Sequence, residues 1–279
     1  MSSSSFAKSV SGHEFRILYE DDPDLEQAGQ GLQSFPLIAE AIGQSILHYW
    51  MMAPAEQVAL AFLLAQLRPK IAIEIGTRFG GSLQVMSRYC DRVYSIDIDP
   101  DVQTRLGSKF PNVELLIGSS NHKLPPLLKY LQQEGAPLGF ALVDGDHSAN
   151  GVRQDIDHLL QFRPSVPFYI VMHDSFNPEC RKGLREAKWS SNPHVHVVEL
   201  DFVPGIVNPA PAFRGQLWGG LALGVLLPEE RTGRFEITAR SEQTLKAALK
   251  AQVPNPSVRR AASKINRILA RSLWSVLRR

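Results

Sequence analysis

The sequence predicts an α/β protein built on a Rossmann-like, doubly wound, mostly parallel sheet of seven strands. Three observations carry that expectation. From residue 71 onward, short β-branched runs alternate with segments of helical spacing. A glycine-rich turn follows the first of these runs, at Gly76, Gly80 and Gly81. Carboxylates then recur where successive runs end, and open sheets of this kind bind ligands at the carboxyl ends of their strands.

The bulk properties bound the answer. The 279 residues are 44% hydrophobic and 21% charged, which suits a soluble globular protein with one large domain and extensions. Cys90 and Cys180 lie far apart with no metal-ligand spacing, so a reducing, cytoplasmic setting fits better than a disulfide scaffold. The opening MSSSSFAKSV has no apolar core, which predicts no signal peptide, and no apolar run is long enough to span a membrane. The net charge of +2 is unevenly placed. After Glu242 there are nine basic residues and no acidic one, so the body carries −7. That balance argues against a nucleic-acid-binding body and for a tail with its own task.

In chain order, residues 1–52 read as an extension, serine-rich and disordered at first and then helical between Leu25 and Met52, with Pro36 as a break. The main domain is expected over 53–240. APAEQVALAFLLAQLRP, residues 53–69, predicts an apolar helix closed by Pro69. Strands follow at IAIEI (71–75), RVYSID (92–97), VELLI (113–117), FALVD (140–144) and FYIVMH (168–173). NPECRKGLREAKW (177–189) predicts a helix, and HVHVVEL (194–200) and LALGVLL (221–227) two more strands. The intervening Phe202–Trp218 stretch is rich in proline and glycine and reads as a long loop carrying acceptor contacts.

Two constellations carry chemistry. At the first, Gly76 permits a tight turn after a buried strand, and Gly80–Gly81 let a ligand approach the backbone and the N-terminus of the next helix. The spacing is neither the G-x-G-x-x-G dinucleotide fingerprint nor a P-loop, which disfavours the alternative of a nicotinamide-dependent dehydrogenase. Glu74 would accept from an ammonium, and Asp97 from both hydroxyls of a ribose. A simpler reading makes the glycines packing devices and Asp97 a helix cap.

EIGTRFGGS followed by VYSIDIDP resembles the first two motifs of class I S-adenosylmethionine-dependent methyltransferases. The resemblance spans roughly residues 53 to 227. It implies cofactor contacts at Glu74, Gly76, Thr77, Gly80, Ser82, Asp97, Ile98, Gly118, Ser119 and Asp144. Ser119 stands where family members often have an aspartate beside the adenine.

The second constellation lies in VDGDHSANGVRQDI and FYIVMHDSF, which place Asp144, Asp146, His147, His173 and Asp174 at neighbouring strand ends. Like charges gathered there repel, and a divalent cation would relieve them; oxygen ligands favour Mg²⁺, Mn²⁺ or Ca²⁺ over Zn²⁺. These segments resemble the cephalosporin hydroxylase-like and macrolide-sugar O-methyltransferase group. That resemblance implies Asp144 and Asp174 as ligands of a cation, Mg²⁺ first, with Asp146 a third ligand or a group behind them. It also implies transfer to a hydroxyl of a sugar or another small natural product. A neighbouring imidazole would take the hydroxyl proton, His147 as first candidate and His173 as second; in the simpler reading either histidine caps a loop or pairs with Asp146. A non-catalytic binding protein on the same fold is the remaining alternative, and the presence of both Asp144 and Asp174 weighs against it.

The tail, residues 241–279, ends in PSVRRAASKINRILARSLWSVLRR. As a helix this gathers Arg260, Lys264, Arg267, Arg271 and Arg278 into one stripe opposite Val258, Ile265, Leu269 and Leu273. Such a helix either lies on an anionic membrane surface, making the protein peripheral, or docks its apolar face on its own domain or on a second subunit in a homo-oligomer.

Overall fold

A computed structural model describes residues 50–207 and 217–241. The expected N-terminal extension up to residue 49, most of the Pro/Gly-rich loop and the basic tail fall outside them.

Helix α1 (Pro54–Leu67) starts with proline at a position that needs no N–H. Its third residue, Glu56, accepts from the Ala53 N–H at 2.6 Å and closes the first turn. There follow β1 (Ile71–Ile75), α2 (Gly81–Tyr89), β2 (Arg92–Asp97), α3 (Asp101–Leu106), β3 (Val113–Ile117), α4 (Ser120–Gln133), β4 (Leu138–Val143), α5 (Ala149–Leu159), β5 (Phe168–His173) and α6 (Pro178–Glu186). The remaining strands are β6 (Val195–Val203), β7 (Ile206–Val207), β8 (Leu217–Trp218), β9 (Leu221–Leu226) and β10 (Ile237–Thr238).

The main sheet runs β10-β6-β9-β5-β4-β1-β2-β3. Its pairs are parallel except where β9 inserts antiparallel between β5 and β6. Every residue of β4 is buried, as befits a central strand covered on both faces. Alternation along β1 divides its side chains between two cores. Ile73 and Ile75 meet Leu124, Leu131, Ile156 and Leu184 from α4, α5 and α6. Ala72 meets Leu60, Leu64, Leu83 and Met86 from α1 and α2.

The expected fold class holds, with two corrections. The sheet has eight strands rather than seven, because Ile237 and Thr238 pair parallel with Val198 and Glu199 of β6. Two residues are too few to show a period, so the sequence pattern gives no sign of β10. The stretch read as a loop from Phe202 also begins as the end of β6, and Ile206–Val207 and Leu217–Trp218 form a two-stranded ribbon.

The chain reverses its winding between β1 and β4, and there the packing is tightest. The Asp144 N–H donates to Ile75 O at 2.8 Å, and the Gly76 N–H to Ile96 O at 2.9 Å. Gly76 has a φ of +92°, and a Cβ on it would stand 2.0 Å from the Asp144 carbonyl oxygen. Only glycine fits. Gly76→Ala should therefore cost at least about 2 kcal/mol in urea unfolding. A loss within a few tenths would mean that the two strand ends do not press together as described.

Candidate active site

The ends of β1 to β5, the start of α1 and the β8–β9 turn enclose one cleft of about 870 Å³, a size suited to a small-molecule site. Its walls combine Gly76, Thr77 and Ser82 from the glycine turn, Asp97 and Ile98 from the end of β2, and Gly118 and Ser119 from the end of β3. Asp144, Asp146, His147, His173 and Asp174 line it from β4 and β5. The two predicted constellations therefore share a single cavity. Gly80 is the exception within the turn: it faces the Leu106 side chain.

The β1–β2 register sets Glu74 opposite Ser95. Glu74 has no exposed surface and does not line the cleft. Ser82 Oγ and Ser95 Oγ each donate to it at 2.6 Å, and Ser95 also bonds the Thr77 hydroxyl. Glu74 was expected to receive a ligand's ammonium directly; instead Ser82 stands between it and the cavity. Burial pushes the Glu74 carboxyl up to about 7, against the pull of the two serine hydroxyls.

Asp97 is spoken for by backbone. Its Oδ2 accepts from the Thr77 N–H at 2.8 Å and the Arg78 N–H at 2.7 Å, and its Oδ1 from the Asp99 N–H at 2.8 Å. These bonds lock the carboxylate at the cleft wall, and a carboxylate has further lone pairs for a ribose.

The deeper cluster is centred on His173. Its Nδ1 lies 2.9 Å from Asp144 Oδ1 and 3.7 Å from Asp174 Oδ2, while Nε2 lies 3.2 Å from Glu56 Oε2. His147 sits 3.4 Å from Asp144 Oδ1 and 3.3 Å from Asp174 Oδ2. Asp174 occupies a left-handed backbone position with φ +55°, a strained placement for a non-glycine residue, and its Oδ1 accepts from the Gly219 N–H at 2.7 Å. Burial alone would raise the Asp144 carboxyl, but the His173 charge and the bonds from both imidazoles outweigh it and hold it at about 2. Against its own burial, Asp144 and Glu56 keep His173 well above the ordinary imidazole range. His147 is raised as well, chiefly by its bond to Asp144.

Two expectations change here. Asp146 is not among the converging ligands: it is exposed, and it accepts from Ser148 N–H at 2.8 Å and Ser148 Oγ at 3.0 Å, shaping the turn into α5. Among the described residues, the side chains able to hold a metal ion together are Asp144, His173 and Asp174, whose ligand atoms lie within 4.8 Å of one another. Both histidines have carboxylates near both ring nitrogens, and exposure separates them: the side chain of His173, the second candidate for the base, is only 10% exposed. His147, 45% exposed, keeps access to the cleft.

Sequence reasoning missed Glu56, Gly219 and Gly220. Glu56 is 1% exposed, bonds His173, and accepts from the Gly220 N–H across 164 residues of sequence. Glu56 as the one charged residue of a mostly apolar helix was the available signal. The Trp50, Met52, Phe79 and Trp218 side chains add an apolar wall to the same cavity.

Residues 73–175 match a family model described as a methyltransferase domain. No curated protein matches the chain. Among solved structures, the chain is similar to an O-methyltransferase from Bacillus cereus in complex with SAH, at 17% identity and a TM-score of 0.48, covering 75% of this chain and 93% of that one. It is also similar to TomG from Streptomyces achromogenes, an O-methyltransferase involved in tomaymycin synthesis solved with SAM (17%, TM-score 0.47, 76% and 92%). A third is the N-methyltransferase NodS from Bradyrhizobium japonicum WM9 with SAH (12%, TM-score 0.42, 70% and 99%).

The Glu74 environment makes a pH prediction. Glu74 binds its proton more tightly folded (about 7) than at its ordinary value of 4.5, so the folded chain loses stability as pH rises through that window, by about 3 kcal/mol. Glu74→Gln keeps an acceptor for the serines without the charge. Its stability relative to the parent, read by urea unfolding, should therefore climb between pH 4.5 and 7 and then level off. A difference that stays flat across the window would contradict the buried, proton-holding carboxyl.

Proposed function

We propose that the protein is an S-adenosylmethionine-dependent methyltransferase that methylates a hydroxyl oxygen of a sugar, a glycosylated compound or another small natural product, with the help of a divalent cation; the methyltransferase-domain model matched by residues 73–175 supports the first part of this reading. The observation that carries this reading is the shared cavity: the glycine turn and Asp97 on one side, the Asp144, His147, His173 and Asp174 cluster on the other.

The cofactor, S-adenosylmethionine, supplies an electrophilic methyl group on a sulfonium. Asp97, fixed by three backbone N–H groups, would accept from its ribose hydroxyls, and the N-terminus of α2 at Gly81 and Ser82, which lines the cleft, would hold its carboxylate. Asp144, Asp174 and the Nδ1 of His173 fit a divalent cation, and Glu56 at Nε2 is the kind of outer carboxylate that orients a ligating histidine. A cation there supplies Lewis acidity, making a neighbouring hydroxyl a better proton donor. His147, near two carboxylates and open to the cleft, would take that proton. The remainder of the reaction is alignment, for which a rigid wall on each side suffices.

The test is transfer from methyl-labelled S-adenosylmethionine to a panel of hydroxylated acceptors. Label should appear on oxygen, fall with a chelator and with Asp174→Ala, and return to the chelated wild type when a divalent ion is restored. His147→Ala should lower kcat by roughly 10²–10⁴ while leaving S-adenosylhomocysteine affinity within a few fold. Transfer that survives both the chelator and Asp174→Ala would remove the cation from the account. Label on nitrogen alone would remove the hydroxyl.

A further inference from the structure

The mouth of the cleft is apolar on one side. Met51, just ahead of α1, and Ile206, at the start of β7, are 52% and 48% exposed, and both line the cavity. Ile206 pairs with Trp218, and the Gly220 N–H, two residues on, donates to Glu56 in the first turn of α1, so Ile206 and Met51 stand on the same side of the mouth. Phe79, after β1, adds an exposed aromatic ring to the same mouth, and the exposed Arg78 lays its guanidinium 5.2 Å from the centre of that ring. Single exposed apolar residues are ordinary. A group of them around one opening, drawn from three separate stretches of chain, marks a surface that meets something apolar.

The basic tail starts on this side of the molecule. β10 is parallel to β6, and β9 is antiparallel to both β6 and β5, so β5, β6 and β10 all point their carboxyl ends toward the cleft face. Leu221 of β9 stands opposite both His173 and Val203, which puts the end of β6 level with the carboxylate–histidine cluster. After β10 the Ser241 N–H donates to Asp201 Oδ2 at 2.8 Å, and Asp201 pairs with the Arg181 guanidinium at 2.8 Å. The tail therefore leaves beside the end of β6, the strand that leads into Ile206. Beyond Glu242 it carries nine cations and no carboxylate, and in helical spacing its cations and its aliphatic residues fall on opposite faces. Such a segment and an apolar mouth on the same side complement one kind of partner, a surface of anionic headgroups over hydrocarbon. We propose that the protein docks on an anionic lipid bilayer with the mouth of its cleft toward the membrane. The tail supplies the electrostatic attraction, and Met51, Phe79 and Ile206 enter the boundary between headgroups and acyl chains. This orientation holds whatever reaction the cleft performs.

The experiment is flotation of the full chain with vesicles of phosphatidylcholine alone and of phosphatidylcholine mixed with phosphatidylserine. It compares the wild type with Met51→Ser/Ile206→Ser, with Phe62→Ser, and with a tail reversed in charge by Arg260→Glu, Lys264→Glu, Arg267→Glu and Arg271→Glu. The wild type should bind the anionic vesicles at least about 100-fold more tightly than the neutral ones, and less as salt is raised. Charge reversal should abolish that preference. Met51→Ser/Ile206→Ser should weaken binding by about tenfold or more. Phe62, 63% exposed on α1, lies about 12 Å along the helix from Pro54 and does not line the cleft, so Phe62→Ser should leave binding within about twofold. A wild type that floats with neither vesicle overturns the proposal and leaves the tail to its own domain or to a second copy. Equal binding to both vesicles, or anionic binding that survives charge reversal, also overturns it. A serine pair that binds like its parent, or a Phe62→Ser that weakens binding as much as the pair does, means that another face meets the lipid, and the orientation falls. Should the serine pair fail to fold, Ile206→Ser alone decides.

Discussion

The contact on which the rest depends is the one between two strand ends, where Gly76 of the first turn lies against the backbone of Asp144. β1 is hydrogen-bonded on one side to β2 and on the other to β4, so this contact fixes the carboxyl ends of three strands at once. From β2 the register presents Asp97, from β4 Asp144, and β5 beside it brings His173 and Asp174. The winding reverses here, so no crossover helix covers the gap, and a cleft opens at the switch point. A side chain at residue 76 would part the two ends and with them the two halves of the site.

The cleft gathers several carboxylates at low exposure. Glu56, Asp144 and Asp174 converge from α1, β4 and β5, and Glu74 stands behind the glycine turn. The charges are balanced locally. His173 bridges Asp144 and Glu56 through opposite ring nitrogens, a geometry that a point-charge ammonium does not offer. Backbone N–H groups of Gly219 and Gly220 serve Asp174 and Glu56. The two histidines differ in access: His173 is buried among these carboxylates, whereas His147 is open to the cleft. Among the described residues Glu74 has no cationic partner near it, and burial pushes its carboxyl up to about 7.

Much of this was legible in the sequence. Strands of β-branched residues at the spacing of a wound sheet, Gly76 after the first of them, Asp97 at the end of the second, and the carboxylate–histidine pairs ending the fourth and fifth all stand where the pattern put them. What escaped had physical reasons. Strand alternation puts Glu74 on the Ala72 side of β1, under α2, which is why Ser82 intercepts it; a strand-end address says nothing about that face. Asp146 is two residues from Asp144, but the following serine captured it into a turn. Glu56, Gly219 and Gly220 meet only in three dimensions, and Asp155 looks like an ordinary polar position until its helix is seen to bury it.

The central claim is that this cleft holds an adenosyl cofactor with Asp97 on its ribose. Calorimetric titration of the purified chain with S-adenosylhomocysteine, repeated on Asp97→Ala with its fold verified by circular dichroism, tests it most directly. The account predicts one-site binding by the wild type and a loss of at least about 100-fold in the variant, since a carboxylate accepting two hydroxyls would be gone. A folded wild type that does not bind, or a variant that binds as well as its parent, would contradict it and leave the glycine turn and Asp97 as architecture alone.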